Sequence, residues 1–249
     1  MVLPLLDLTS LNETDSDEDI RRLCKRAQTA HGHPAAVCVF PHRIAVARTA
    51  LAELGLQDQV RIATVVNFPI GEDSADDAVE QVRNALLSGA DEIDLVFPYR
   101  ALMAGDERVG YHLVNRCRQA SSGYVLKVIL ETGELKTPER IRLASQIALD
   151  SGADFLKTST GKVAVNATPE SARVVMETIR DSGRPTGFKA AGGIRTTKDA
   201  ATYVDLAREI LGEQWLCPER LRFGASGLLD DLLHQLGSGA RPVNLSSRY

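Results

Sequence analysis

Several functions are excluded by what this sequence does not contain. No stretch approaches the ~18–20 uninterrupted apolar residues of a membrane-spanning helix, so no membrane partner is expected. Basic residues are not in excess: 29 Lys and Arg stand against 33 Asp and Glu, a net charge of −4. A general nucleic-acid binder needs a basic surface for phosphate contacts, so no nucleic-acid partner is expected either, although a small positive pocket remains open. The four cysteines, Cys24, Cys38, Cys117 and Cys217, are far apart and form no CxxC. They read as free thiols in a reducing, cytoplasmic compartment. The opening MVLPLLDLTS lacks a basic n-region and an A-x-A site, which argues against secretion.

Metal and nucleotide signatures are missing too. His31 and His33 fall in a helix-to-strand loop, and His42, His112 and His234 fall in helical patterns. DSDED (15–19) has neither the glycine nor the terminal Glu of a calcium loop. STGK (159–162) resembles the end of a P-loop, but Leu156 stands where that motif needs Gly. Val163 replaces its Ser or Thr. Neither a metal nor a cofactor is expected.

What is present is alternation. Short apolar runs recur at 5–9, 35–40, 61–66, 91–97, 125–130, 154–159, 186–192 and 222–226. Most are rich in Val, Ile, Leu or Phe without polar alternation, as strands covered on both faces are. Amphipathic helices separate them. KTPERIRLASQIALDSG sets Thr137 as N-cap, Pro138 at the first helical position and Gly152 beyond the end; ATPESARVVMETIRDSG repeats this with Thr168, Pro169 and Gly183. Eight strand–helix repeats in 249 residues point to a (β/α)8 barrel, with a doubly wound open sheet as the rival. The barrel is expected over 1–236. GSGARPVNLSSRY (237–249) is expected to be a flexible tail.

The strands carry unexpected charge. Barrel enzymes react at the C-terminal ends of their strands, and polar strand residues that stand out are Asp7, Thr9, Cys38, Asp94, Lys127, Lys157 and Lys189. Lysine is almost never fully buried. Lys157 and Lys189, on adjacent strands, could approach within ~6 Å. That implies ~3 kcal/mol of repulsion and a fall of ~2 pKa units for one of them. Such a lysine is an amine nucleophile suited to a carbonyl, and Asp94 is a carboxylate within reach to move protons. Gly192 and Gly193 precede one helix, and Gly224, Ser226 and Gly227 precede another. These loops follow strands seven and eight, where barrels commonly bind phosphate. Lys162 adds a cation near such a group.

LLDLTSLN, AAVCVFP, RIATVVNFP, GADEIDLVFPYRALMAG, LKVILETGELK, GADFLKTSTGKVAVNATPESARVVM, GFKAAGGIRT and RFGAS together strongly resemble the deoxyribose-phosphate aldolases, over almost the whole chain. The resemblance implies a (β/α)8 barrel that cleaves 2-deoxy-D-ribose 5-phosphate reversibly to D-glyceraldehyde 3-phosphate and acetaldehyde, without a metal. It implies Lys157 as the Schiff-base lysine, Lys189 as the lysine that lowers its pKa, and Asp94 as the proton-relay carboxylate. Lys162, Gly192, Gly193 and Ser226, with Thr160, Gly224 and Gly227, match phosphate-side or substrate-side positions. Asp7, Thr9 and Cys38 match pocket-lining residues. The implied partners are a small phosphorylated sugar and acetaldehyde, and the family commonly forms homodimers. A C-terminal Tyr on a flexible tail is also a family feature; here Tyr249 sits twelve residues beyond Gly237. Twelve extended residues reach up to ~40 Å, enough to climb a barrel ~17 Å high and bring a phenol to the mouth as a proton relay. Two residues depart from the pattern: Ala190 stands where the family commonly has Pro, and Gly227 where it commonly has Ser. Two alternatives stay open, another Schiff-base phosphosugar aldolase or transaldolase, and a non-catalytic phosphosugar-binding barrel.

Overall fold

Eight parallel strands close into a barrel in sequence order in the computed structural model, which describes residues 2–238. The strands are β1 (Leu6–Thr9), β2 (Ala36–Val39), β3 (Arg61–Val66), β4 (Glu92–Val96), β5 (Val125–Ile129), β6 (Phe155–Lys157), β7 (Gly187–Ala191) and β8 (Leu221–Ala225). β1 pairs with both β2 and β8, which leaves no edge exposed. Among the described residues the helices are α1 (Asp17–Arg26), α2 (Ile44–Glu53), α3 (Ala75–Leu87), α4 (Tyr99–Met103), α5 (Glu107–Ala120), α6 (Thr132–Leu135), α7 (Pro138–Asp150), α8 (Pro169–Ser182), α9 (Thr197–Leu211) and α10 (Leu228–Gln235). No helix among the described residues is long and apolar enough to cross a membrane.

Local chemistry sets the helix ends. The Thr137 side chain accepts from Arg140 N and Pro138 takes the first helical position of α7. Thr168 and Pro169 do the same for α8, which stops at Gly183 with φ +65°, a conformation that glycine adopts without steric cost. The short helices α4 and α6 were not apparent in the sequence pattern, because each is too brief to show a period. β6 is shorter than the run 154–159 suggests. Beyond Lys157 regular pairing ends: Thr158 N still donates to the Lys189 carbonyl at 3.0 Å, and Thr158 Oγ1 exchanges hydrogen bonds with Ala191.

Two cores result. Outward-facing strand residues such as Val37, Val39, Ile62, Ile93, Leu95, Leu126 and Val128 pack against the helices in the main apolar core. The barrel interior is different. On the β2–β3 side it holds the small cluster Ala36, Cys38, Ala63 and Val65, with Leu11. On the β4–β8 side and on β1 it holds charge: Asp7, Glu92, Asp94, Lys127, Lys157, Lys189 and Arg222 are all buried. Because side chains alternate along a strand, Glu92 and Asp94 face inward together while Ile93 and Leu95 face the helices.

Candidate active site

Register brings the charged residues together. Asp94 on β4 lies beside Lys127 on β5, and Lys157 on β6 lies beside Lys189 on β7. Asp94 is the centre of the cluster. Its Oδ2 accepts from Lys157 Nζ and from Lys189 Nζ, each at 2.8 Å, and its Oδ1 accepts from Lys127 Nζ at 2.8 Å. Lys189 also donates to Asp7 Oδ2 at 2.5 Å. Lys127 pairs with Glu92 at 2.6 Å. Arg222 closes the network from β8, donating to Asp7 Oδ1 at 2.6 Å and to Glu92 Oε1 at 3.1 Å.

Within this hydrogen-bonded network four cations share three carboxylates, one positive charge more than the network's own carboxylates balance. The cation that gives up its proton at least cost is the one with fewest carboxylate partners. Lys189 has two such partners, Lys127 and Arg222 have at least two each, and Lys157 has Asp94 alone. The titration behaviour follows. Burial, opposed by Asp94 and assisted by Lys189, lowers the pKa of Lys157. Burial also works against charge on Lys189, but Asp7 and Asp94 overcome it and raise that pKa. Lys127 is raised in the same way by Asp94 and Glu92. Asp94 is held well below the usual carboxylate range, since its three lysines outweigh its desolvation. Asp7 is likewise lowered, by Lys189 and Arg222. The order of causes differs from the expectation, which rested on repulsion between the two lysines. Repulsion from Lys189 contributes, but burial contributes more, and Lys189 is pinned as an ammonium by two carboxylates.

The remaining expected residues surround this cluster. Thr9 is buried on β1 with Cys38 opposite it on β2, and burial pushes the Cys38 thiol pKa up. Thr160 follows β6 and is buried against Glu131. Lys162 extends across the mouth to the Leu11 carbonyl at 2.7 Å. It lines a cavity of about 260 Å³ with Glu13, Phe40, His42, Phe68 and Pro69. Gly193 and Gly227 each face open space where a Cβ would be, leaving backbone accessible at the loops after β7 and β8. Gly192 is tighter, since a Cβ there would come within 2.6 Å of Asn166. Ser226 offers its carbonyl to Arg26. Gly224 lies within β8, where an added Cβ would stand 3.2 Å from Lys189 Cε; it makes room for the lysine. Ala190 is buried within β7. Tyr249 lies outside the described residues. His31 bonds Ser238 Oγ and His33 bonds the Pro34 carbonyl.

The sequence reading missed Glu92 and Arg222 and left Lys127 without a part in the site. The signal was available: each is a charged residue inside an apolar strand, which is what drew attention to Lys157. Glu131 gave no such signal, because it follows β5 in a turn.

A family described as DeoC/LacD family aldolase matches residues 1–234. Similar solved structures include the apo form of a candidate deoxyribose-phosphate aldolase from Toxoplasma gondii ME49, at 26% identity and a TM-score of 0.89, covering 97% of this chain and 96% of that one. A candidate deoxyribose-phosphate aldolase from Coccidioides immitis is 29% identical with a TM-score of 0.79, over 92% of this chain and 85% of that one. The deoxyribose phosphate aldolase of Aeropyrum pernix, a tetramer, is 24% identical over 95% of this chain and 91% of that one, with a TM-score of 0.76; at that identity it speaks to the fold.

Proposed function

The chain belongs to the DeoC/LacD aldolase family, and from that premise we propose that it is a deoxyribose-phosphate aldolase. It cleaves 2-deoxy-D-ribose 5-phosphate reversibly to D-glyceraldehyde 3-phosphate and acetaldehyde through a Schiff base on Lys157. One observation carries the reading. Lys157 is the least compensated cation in a buried network of four cations and three carboxylates, and it shares a single Asp94 oxygen with Lys189.

The chemistry follows from that imbalance. The neutral Lys157 amine attacks the C1 aldehyde, and loss of water gives an iminium ion. Asp94, ionised and 2.8 Å from Nζ, stabilises that positive charge where it forms. The C2–C3 bond then breaks and its electron pair moves into the iminium, leaving an enamine on Lys157. The C3 hydroxyl gives up its proton and becomes the aldehyde of glyceraldehyde 3-phosphate. The enamine takes a proton at the former C2, and water releases acetaldehyde and the free amine. Lys189, an ammonium bonded to the same Asp94 oxygen, is the adjacent proton donor, and Asp94 is the acceptor between the two lysines. Gly193, Ser226 and Gly227, with Lys162, receive the phosphate. Asp7, Thr9 and Cys38 line the pocket, and the cytoplasm is the compartment.

The test is turnover. Purified protein is given 2-deoxy-D-ribose 5-phosphate, and glyceraldehyde 3-phosphate is followed by a coupled reduction, with and without EDTA. Cleavage that EDTA leaves intact is expected, because the iminium serves as the electron sink. Absence of cleavage, or activity lost to EDTA and restored by zinc, would overturn the assignment.

A further inference from the structure

Glu131 is a buried carboxylate in an unusual backbone conformation, beside the reactive lysine, and it takes no part in the network around Asp94. It follows β5 and is inaccessible to solvent. Its φ of 59° and ψ of 58° are left-handed, rare for a residue with a Cβ. The backbone holds it there from both sides: Leu130 N donates to the Lys157 carbonyl and Thr132 N to the Thr158 carbonyl, both at 2.9 Å. Such strain persists where the surroundings over-determine it, and it tends to mark functional positions.

The strained turn delivers both carboxylate oxygens to one residue. Thr160 N donates to Oε1 at 3.2 Å and Thr160 Oγ1 donates to Oε2 at 2.5 Å. Thr160 Oγ1 in turn accepts from Lys162 N at 3.0 Å. A hydroxyl has one proton and two lone pairs. Here the proton is committed to Glu131 and one lone pair to Lys162, so a single lone pair is left. The threonine can therefore accept from a hydroxyl and cannot donate to one.

We propose that Glu131 is a positioning residue: it locks the Thr160 hydroxyl as a pure acceptor, so that Thr160 receives a hydroxyl of the sugar chain on the substrate bound to Lys157. This role selects a hydroxylated aldehyde and is silent toward acetaldehyde, which has no hydroxyl to offer. It rests on the aldolase reading of the site.

Glu131→Gln keeps the shape and spoils the lock. One end of the amide becomes a donor, so it either faces the Thr160 N–H donor or donates to Oγ1 and turns the hydroxyl proton toward the substrate. The expected result is a loss of about ten- to a hundred-fold in kcat/KM for 2-deoxy-D-ribose 5-phosphate, the range for a hydrogen bond to a charged group. The rate of borohydride-trapped acetaldehyde adduct formation on Lys157 should stay within about three-fold of wild type, on the same scale. Thr160→Val, which leaves Glu131 in place, should show the same split, and Thr160→Ser should restore sugar cleavage. Glu131→Gln added to Thr160→Val should cost nothing more, since the two act as one unit. Equal losses on sugar cleavage and on adduct formation, or additive losses in the double variant, would overturn the proposal. A wild-type protein that forms the acetaldehyde adduct but does not cleave the sugar counts instead against the aldolase assignment.

Discussion

Replacing Lys189 by Met tests how the site tunes Lys157, the proposed nucleophile. The two ammonium nitrogens lie at most about 5.6 Å apart, since each is 2.8 Å from Asp94 Oδ2. At an effective dielectric of ~20 their repulsion is about 3 kcal/mol, or about 2 pKa units. Methionine is close in volume to lysine, so packing is preserved. No carboxylate is orphaned: Asp7 retains Arg222, and Asp94 retains Lys127 and Lys157. What changes is the charge balance. Three cations then face three carboxylates, and the Lys157 proton becomes needed where before it was in surplus. Its pKa should rise by about 2 units. Imine formation requires the neutral amine, so the acid limb of its pH profile should move about 2 units to higher pH, and at neutral pH the rate should fall about a hundred-fold. The assay is the pH dependence of acetaldehyde imine formation, followed by borohydride trapping and mass spectrometry. An acid limb that stays in place while imine formation persists would refute the reasoning, and would assign the depressed pKa to burial alone.

Lys157→Met should abolish imine formation and stabilise the fold at neutral pH. The folded-state pKa of Lys157 is below its unfolded value, so its cost appears as pH falls through the unfolded pKa and is fully present below the folded one. Removing it should gain about 1–2 kcal/mol, a rise in Tm of about 2–8 °C by calorimetry, and the gain should vanish above pH ~10. Gly227→Ser places a hydroxyl where a Cβ meets nothing within 4 Å, at φ −85°. It should lower KM for the phosphosugar about five-fold, the worth of one ordinary hydrogen bond, with kcat unchanged; an unaltered KM in steady-state assays would remove this loop from phosphate recognition. Tyr249→Phe should slow deuterium incorporation at the methyl carbon of acetaldehyde, read by NMR in heavy water, while imine formation on Lys157 stays near wild type. Equal exchange rates would exclude the phenol from the proton relay.

The strand positions were legible because both faces of each strand are covered. Val37, Ile93 and Leu126 face helices, and the inward residues of β2 and β3 are small and apolar, so the runs read as continuous. The lysines stood out against that background. What the sequence could not show was the sharing of Asp94. Whether Lys157 loses a proton depends on how many carboxylates each neighbour holds, and those come from β1 and β4, far apart in the chain. Glu92 and Asp94 sit two apart on one strand, so their common inward direction was readable; the arrival of Arg222 opposite them depends on barrel closure. Glu131 was hidden for a local reason. Its left-handed conformation falls on a residue with a Cβ, where composition gives no warning, and its partner Thr160 follows a different strand.

The proposed function requires Lys157 to lose its proton and form the covalent intermediate. Incubation with acetaldehyde, reduction with borohydride and peptide mass spectrometry test it directly. A two-carbon adduct is expected on Lys157, with Lys127 and Lys189 unmodified because each is held as an ammonium between carboxylates. An adduct on Lys189 or Lys127, or none on any of the three, would contradict it.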